Sequence, residues 1–62
     1  MSDTVLHFGR VIQDGIEVAR CSVTDKARML AELSHYAAVY SQDGPVGLEV
    51  RSGKNRWRRL IP

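Results

Sequence analysis

Residues 22–45 read SVTDKARMLAELSHYAAVYSQDGP, and this stretch decides the fold because it carries the signals of one helix between two strand-rich segments. Its first four residues, Ser-Val-Thr-Asp, offer hydroxyl groups that can cap the start of a helix, followed by an acid early in that helix. At the other end, Gly44 favours the left-handed conformation that ends helices, and Pro45 cannot continue one. The pattern therefore predicts a helix over residues 24–42.

One side of the predicted helix is apolar. At about 100° per residue, the apolar side chains fall on one broad arc, with mostly charged and polar side chains opposite. The arc consists of Met29, Leu30, Leu33, Tyr36, Ala37 and Tyr40, and the opposite side of Arg28, Glu32, His35, Val39 and Gln42. Arg28 and Glu32 are four residues apart, which is the spacing of a weak surface ion pair. We therefore expect the helix to cover a sheet with one side only.

The segment before the helix predicts a β-hairpin over residues 5–21. β-Branched and aromatic residues are frequent on both sides of a central Asp-Gly pair. A two-residue turn at this pair would scatter apolar groups over both faces, whereas a three-residue turn that ends at a left-handed Gly15 pairs Ile12 with Ile16. We expect the three-residue turn, because it gives the hairpin one apolar face toward the helix. That face would carry Leu6, Phe8, Ile12, Ile16 and Val18.

The other face of the sheet is expected to stay uncovered, because a single helix covers one face. In the expected register it carries His7, Val11, Ala19 and Cys21, which are moderately apolar. Homodimerisation through this face or through an edge strand is left open, since a second copy would enlarge the core of so small a domain.

The segment after the helix predicts a second hairpin over residues 46–61, with Gly53 and Lys54 as its two turn residues. Val50 then lies beside Trp57, and this alternation favours a core position for Trp57 over an exposed one. The same register places Val46 beside Ile61 and Glu49 opposite Arg58.

Together these elements predict an α+β fold of the order β-β-α-β-β, with a four-stranded, mainly antiparallel sheet and one helix packed on one face. A chain of 62 residues forms one small core and has no room for a second domain or a deep cofactor cleft. We therefore expect a single domain over residues 1–62, made of hairpin 5–21, helix 24–42 and hairpin 46–61.

The residues that could carry catalysis or bind a metal are few. His7, Cys21 and His35 are the only soft or borderline metal ligands. His7 and Cys21 are cross-strand neighbours in the expected register, but no spacing typical of a metal site connects them with a further ligand. No glycine-rich phosphate loop and no nucleophile-base arrangement is present. We expect no enzyme activity, no metal and no cofactor, and the single cysteine favours a reducing, intracellular compartment.

Charge is distributed unevenly along the chain. Residues 1–50 hold four bases and all seven acids, a net charge of −3, whereas residues 51–62 hold five bases and no acid, a net charge of +5. Such a cluster is typical of a surface that binds an acidic partner, although cations on a last strand also protect a sheet edge against aggregation. The predicted partner-binding residues are Arg51, Lys54, Arg56, Arg58 and Arg59.

Two classes of partner fit this basic hairpin. The first is a host protein or protein–nucleic acid complex, whose acidic side chains or phosphate sites the arginines would contact. The second is nucleic acid bound directly and without base selection. The first is favoured because five cations make a short footprint and a remainder with a charge of −3 repels a wrapping polyanion. A small dimeric structural protein without a dedicated ligand is a third alternative.

The stretch HYAAVYSQDGPV at residues 35–46, followed by Glu49, Arg51 and the pair Arg56-Trp57, resembles a pattern in short uncharacterised proteins of bacteriophages and prophages. The resemblance covers the C-terminal half and implies an accessory protein in the cytoplasm of a bacterial host. Small anti-CRISPR proteins are similar in size, in lacking enzyme activity and in combining a helix with a small antiparallel sheet. The resemblance implies an inhibitor or modulator of a host assembly, such as a nucleic-acid-guided defence complex, and assigns no functional residue.

Overall fold

The computed structural model describes residues 5–61, and for Ile61 the backbone alone. The elements follow the order β1 (His7–Gln13), β2 (Ile16–Val23), α1 (Lys26–Tyr40), a 3₁₀ turn (Ser41–Asp43), β3 (Gly47–Ser52) and β4 (Arg58–Ile61). The strands form one antiparallel sheet in the order β2-β1-β3-β4, with α1 packed on one face. The α+β fold with the order β-β-α-β-β is therefore confirmed.

The helix connects two strands that lie on either side of β1. Because β2 and β3 are both antiparallel to β1, they run parallel to each other, and α1 is the crossover that such a pair requires. This connection makes β1 central and leaves β2 and β4 as the edge strands.

The helix α1 is shorter than the predicted helix 24–42, and an acid rather than a hydroxyl caps it. The carboxylate of Asp25 caps the first turn by accepting a hydrogen bond from the Ala27 N–H at 3.0 Å. At the other end the chain tightens into the 3₁₀ turn, and Gly44, with φ of 142°, directs it away from the helix. Within residues 5–61, no helix is long and apolar enough to cross a membrane.

The core lies between α1 and the centre of the sheet. It is formed by the buried residues Val11, Cys21, Met29, Leu33 and Leu48. The predicted apolar arc of the helix is confirmed, since its remaining four members pack around this cluster. Gly9 allows the close approach of helix and sheet, because a Cβ atom there would lie 3.1 Å from both Leu33 Cδ2 and Met29 Sδ.

The turn of the first hairpin differs from the expected one. Gln13 pairs with Ile16 across a two-residue turn. Asp14 and Gly15 occupy this turn with φ of 54° and 77°, and two left-handed residues are typical of the turn that best matches the twist of a hairpin. The expected three-residue turn is therefore wrong.

A β-bulge beside the turn makes the two-residue turn compatible with one apolar face toward the helix. Val11 pairs with Ala19, so that Val18 is an extra residue in β2. This extra residue shifts the alternation of β2 by one position, so that the apolar side chains of β2 beyond the bulge lie on the helix side. Val18 itself packs against the core, as expected.

The two faces of the first hairpin are consequently reversed. The residues expected on the uncovered face, among them Val11 and Cys21, lie on the helix side. Phe8 and Ile12 lie on the face away from α1, which we call the open face, and Leu6 and Ile16 are exposed. The surface expected to serve a homodimer is therefore covered by the helix.

The second hairpin has its turn where the sequence places it but pairs in a different register. Gly53 and Lys54 are the central residues of a turn that the Asn55 N–H closes on the Ser52 carbonyl oxygen at 3.0 Å. Residues 55–57 belong to no strand, and pairing with β3 therefore begins only at Arg58.

This delay, together with a second register shift between Leu48 and Glu49, changes every expected pair of the second hairpin. Val50 lies opposite Arg58 rather than Trp57, and Glu49 lies opposite Arg59 rather than Arg58. Ile61 lies opposite Leu48 rather than Val46. These three expected pairings are wrong.

Candidate binding surfaces

Trp57 lies on the open face, and its expected place in the core is wrong. The Arg10 guanidinium carbon is 4.1 Å from the centre of the indole ring, and those of Arg51 and Arg20 are at 5.3 and 6.0 Å. The reason is the late start of β4, which allows the chain before Arg58 to cross to the side opposite α1. The ring is half-buried, and cation–π contacts with arginines hold it there.

Two glutamates neutralise much of the positive charge below Trp57. Arg10 Nε donates to Glu49 Oε1 at 2.6 Å, a charge-assisted contact between two largely buried side chains. Glu17 lies between Arg20, at 2.9 Å, and Arg10, at 3.6 Å. The hydrogen bond from Arg20 is the main cause that lowers the pKa of Glu17, against a smaller opposing effect of desolvation. Arg10 and Arg20 therefore serve mainly to build the open face.

Arg51 is held differently. Its guanidinium carbon lies 4.5 Å from the centre of the Phe8 ring, and no carboxylate of the described residues forms an ion pair with it. Its Nε atom is buried and has no hydrogen-bond partner among residues 5–61. Aromatic rings rather than an acid thus position Arg51, and its charge is not neutralised locally.

The five predicted partner-binding residues fall into two groups. Arg51 and Arg59 lie on the open face, where Arg59 is exposed opposite Glu49. Lys54 and Arg56 are exposed in the loop between β3 and β4, and Arg58 lies on the helix side of β4, opposite Val50. The structure therefore does not bring the five cations onto one flat surface.

A sixth cation joins the second group. His7 pairs with both Val23 and Ser52, so the start of α1 lies at the same end of the sheet as the β3–β4 loop. Lys26, the first residue of α1, consequently lines a pocket together with Arg56 and Arg58. Lys26 is not among the residues predicted from the sequence, because only the strand order, which no local pattern fixes, shows that these segments meet.

We call the group formed by Lys26, Lys54, Arg56 and Arg58 the basic end of the molecule. Within the described part of the chain, none of the four forms an ion pair. By contrast, Arg28 on the outer side of α1 contacts Glu32 at 3.3 Å, which confirms the predicted pair.

The acids that are not ion-paired lie mostly at the other end. Asp14 is in the β1–β2 turn, and Asp43 is in the 3₁₀ turn that follows α1. The side chain of Gln13 ties these two regions together, since Nε2 donates to the carbonyl oxygens of Tyr40 and Gly44 at 2.9 and 3.2 Å. Four cations without a described ion pair thus lie at the end opposite Asp14 and Asp43, and two more, Arg51 and Arg59, lie on the open face.

His7 and Cys21 do not form a metal half-site. Cys21 lies opposite Gly9 rather than His7, and His7 Nδ1 is hydrogen-bonded to Ser52 Oγ at 2.8 Å. Burial raises the pKa of the Cys21 thiol, which makes it a poor ligand and nucleophile. Among residues 5–61, no cluster of three or more His, Cys, Asp or Glu side chains is arranged to hold a metal ion.

Comparisons of this chain with models of protein families, with curated proteins and with solved structures found no match. The resemblance to bacteriophage and prophage proteins stays a prediction from the sequence pattern.

Proposed function

We propose that this chain is a non-enzymatic protein that binds nucleic acid through phosphate contacts of its basic end and does not read base sequence. The observation that supports this most is the separation of the bases into two kinds. Arg10, Arg20 and Arg28 are paired with glutamates, whereas the other bases have no described carboxylate partner. Four of these unpaired bases form the basic end, and the other two, Arg51 and Arg59, lie on the open face. Unpaired lysine and arginine side chains at one end of a small domain form the electrostatic footprint of a phosphate binder.

The pairing of the glutamates also weakens the main objection to a nucleic-acid partner. The charge of −3 on residues 1–50 would repel a polyanion if its acids faced the partner. Glu17, Glu32 and Glu49 are each neutralised by an arginine, and Asp14 and Asp43 lie away from the basic end. Asp25 is the described acid next to the basic end, where it caps α1 and directly precedes Lys26. Repulsion near the four cations is therefore limited to this one carboxylate.

Trp57 has no part in this proposal as a stacking platform. One side of its ring is in contact with the Arg10 guanidinium, so a nucleic-acid base would have to displace a contact that stabilises the domain. Binding through phosphates alone predicts similar affinity for strands of different sequence.

Salt dependence tests the proposal. Each phosphate contact contributes about −0.7 to −0.9 to the slope of log K against log salt, so four contacts predict a slope of about −3 to −4. Fluorescence anisotropy with labelled 20-nucleotide single strands and duplexes, at 25–200 mM NaCl, measures it. The absence of binding at the lowest salt concentration would refute the proposal.

Matched variants locate the contact surface. Arg56→Gln combined with Arg58→Gln should move the slope toward zero by about 1.4–1.8, because two contacts are lost. Arg28→Gln removes an exposed arginine that is paired with Glu32 on the outer side of α1 and should leave the slope unchanged. An effect of Arg28→Gln that is half that of the double variant, and therefore equal for each charge removed, would show that net charge, not the basic end, controls binding.

A host protein assembly is the second candidate partner, and the composition of the open face favours it. Tryptophan and arginine are the residue types that contribute most to protein interfaces, and Trp57, Arg51 and Arg59 lie together there. The role of a phage-type modulator of a host assembly belongs to this candidate. Purification of tagged protein from a nuclease-treated bacterial lysate tests it, with Arg51→Glu and Arg59→Glu variants as comparison. An unchanged set of partners would exclude the open face as the contact.

A further inference from the structure

The basic end contains a concave pocket between the start of α1 and the β3–β4 loop. Its volume is about 560 Å³, which is within the range of small-molecule sites, about 300–1,000 Å³. Lys26, Arg56 and Arg58 line it, and no carboxylate of the described residues does. Asp25 is the nearest acid along the chain, and its carboxylate caps the Ala27 N–H instead. The pocket is thus a concave site of one sign of charge.

The remaining walls combine hydrogen-bonding and apolar groups. Ser52 and Asn55 contribute polar side chains, and Met29 and Val50 contribute apolar surface. Arg51 also borders the pocket, but its guanidinium lies against Phe8, and we do not count it as a ligand. Cations beside an apolar wall fit a ligand that has a compact anionic group joined to a less polar body.

We infer that this pocket binds a phosphomonoester, either as a free nucleotide or as the phosphorylated end of a nucleic-acid strand. A phosphomonoester carries close to two negative charges at neutral pH, whereas each internal phosphodiester carries one. A terminal phosphate also has three free oxygens and a single attachment, so it can enter a concave site that three cations line. The strand-end form rests on the proposed function, since the same cations would contact the rest of the strand.

The direct test compares two oligonucleotides of identical sequence, one with a 5′-phosphate and one with a 5′-hydroxyl. We expect the phosphorylated strand to bind about tenfold more tightly at 50 mM NaCl, which is the effect of one additional charge-assisted contact. Inorganic phosphate and adenosine monophosphate, titrated in NMR experiments, should shift the amide signals of Lys26, Asn55 and Arg58. Binding of the mononucleotide without a preference between the strands would identify the free nucleotide as the source.

Neighbouring arginines of β4 provide a matched control, because Arg58 lies on the pocket side and Arg59 on the open face. Arg58→Gln should remove most of the tenfold preference for the phosphorylated strand. Arg59→Gln should leave the ratio of the two affinities near tenfold, even if both affinities fall. A ratio that falls equally in both variants would overturn the assignment of the pocket.

The outcomes separate this inference from the proposed function. If both strands bind equally with a steep salt dependence, and neither phosphate nor the mononucleotide shifts the pocket signals, the inference fails while the proposed function stands. If neither strand binds, the proposed function fails. Saturable shifts with adenosine monophosphate would then still support the pocket, and their absence would refute it.

Discussion

Replacing Arg10 by Met and Trp57 by Leu, singly and together, should show that the two side chains stabilise each other. The guanidinium carbon of Arg10 lies 4.1 Å from the centre of the Trp57 ring, and a cation–π contact of this kind contributes about 0.5–2 kcal/mol. In the double-mutant cycle, the sum of the free energies of unfolding lost in the two single variants should therefore exceed the loss in the double variant by about this amount.

The single variants should remain measurable. Arg10→Met also removes the charge-assisted hydrogen bond to Glu49, which contributes about 1.5–3 kcal/mol, so its total effect is about 2–5 kcal/mol. At about 0.05–0.15 kcal/mol per residue, a domain of this length has a free energy of unfolding of about 3–9 kcal/mol. If Arg10→Met unfolds the domain, Arg10→Lys is the milder variant, because lysine keeps the charge and loses the planar contact with the ring.

Urea unfolding followed by circular dichroism at 222 nm is the appropriate assay, since the fluorescence of Trp57 is lost in half of the cycle. Arg28→Met combined with Trp57→Leu is the control cycle, because Arg28 lies on the outer side of α1. Its effects should add to within about 0.5 kcal/mol. The same additivity for Arg10 and Trp57 would refute the contact and, with it, the register that places Trp57 on the open face.

Three further predictions follow from the core and from the two shifted pKa values. Leu33 is 1% exposed, so Leu33→Ala should lower the free energy of unfolding by about 2–5 kcal/mol. Leu33→Met should lower it by less than about 1.5 kcal/mol. Equal losses for the two variants in urea unfolding would contradict the burial of Leu33. The folded-state pKa of Glu17 is below its ordinary value of 4.5. The stability that ionised Glu17 contributes to the fold is therefore present above that pH and is lost as the pH falls through the lower folded-state pKa. Glu17→Gln should therefore flatten the decrease in stability between about pH 5 and pH 3, and parallel curves of urea midpoint against pH would contradict the ion pairs. Cys21 should react slowly with iodoacetamide at pH 8 until urea is added, because burial raises the pKa of its thiol; native labelling as fast as that of free cysteine would contradict its burial.

The fold class and the helix could be predicted because their signals are local. Periodicity identified the buried face of α1, and the types of the flanking residues identified its ends. The order of elements then followed from two further segments rich in β-forming residues. None of these steps requires knowledge of which strands are neighbours.

The register of both hairpins could not be predicted, because each contains residues that leave the regular alternation. In the first hairpin, the bulge at Val18 reconciles the Asp14-Gly15 turn with a one-sided apolar face. In the second, the residues between the turn and Arg58 stay outside the ladder, and the alternation that assigned Trp57 to the core stops applying. A single unpaired residue reverses the faces of a strand, and counting alternation along the sequence cannot detect it.

The candidate site was predictable in composition but not in shape. The excess of bases after residue 50 identified Arg56 and Arg58 as candidates. Their distribution over two faces, and the addition of Lys26, depend on β3 lying beside β1. Strand order is a long-range property, and here it decides which cations share a pocket.

Arg58 and Arg59 also lie on the edge strand β4, where cations hinder the pairing of one sheet with another. Protection of the edge and binding of phosphate make different demands on the two residues. Protection of the edge requires charge on the strand, and the face on which the charged side chain lies does not matter. Arg58→Gln and Arg59→Gln should therefore promote self-association equally. Phosphate binding in the pocket depends on Arg58 alone of the two. Light scattering and oligonucleotide affinity, measured on the same two variants, therefore separate these roles, and a loss of affinity that follows self-association in both variants would leave edge protection as the sufficient explanation.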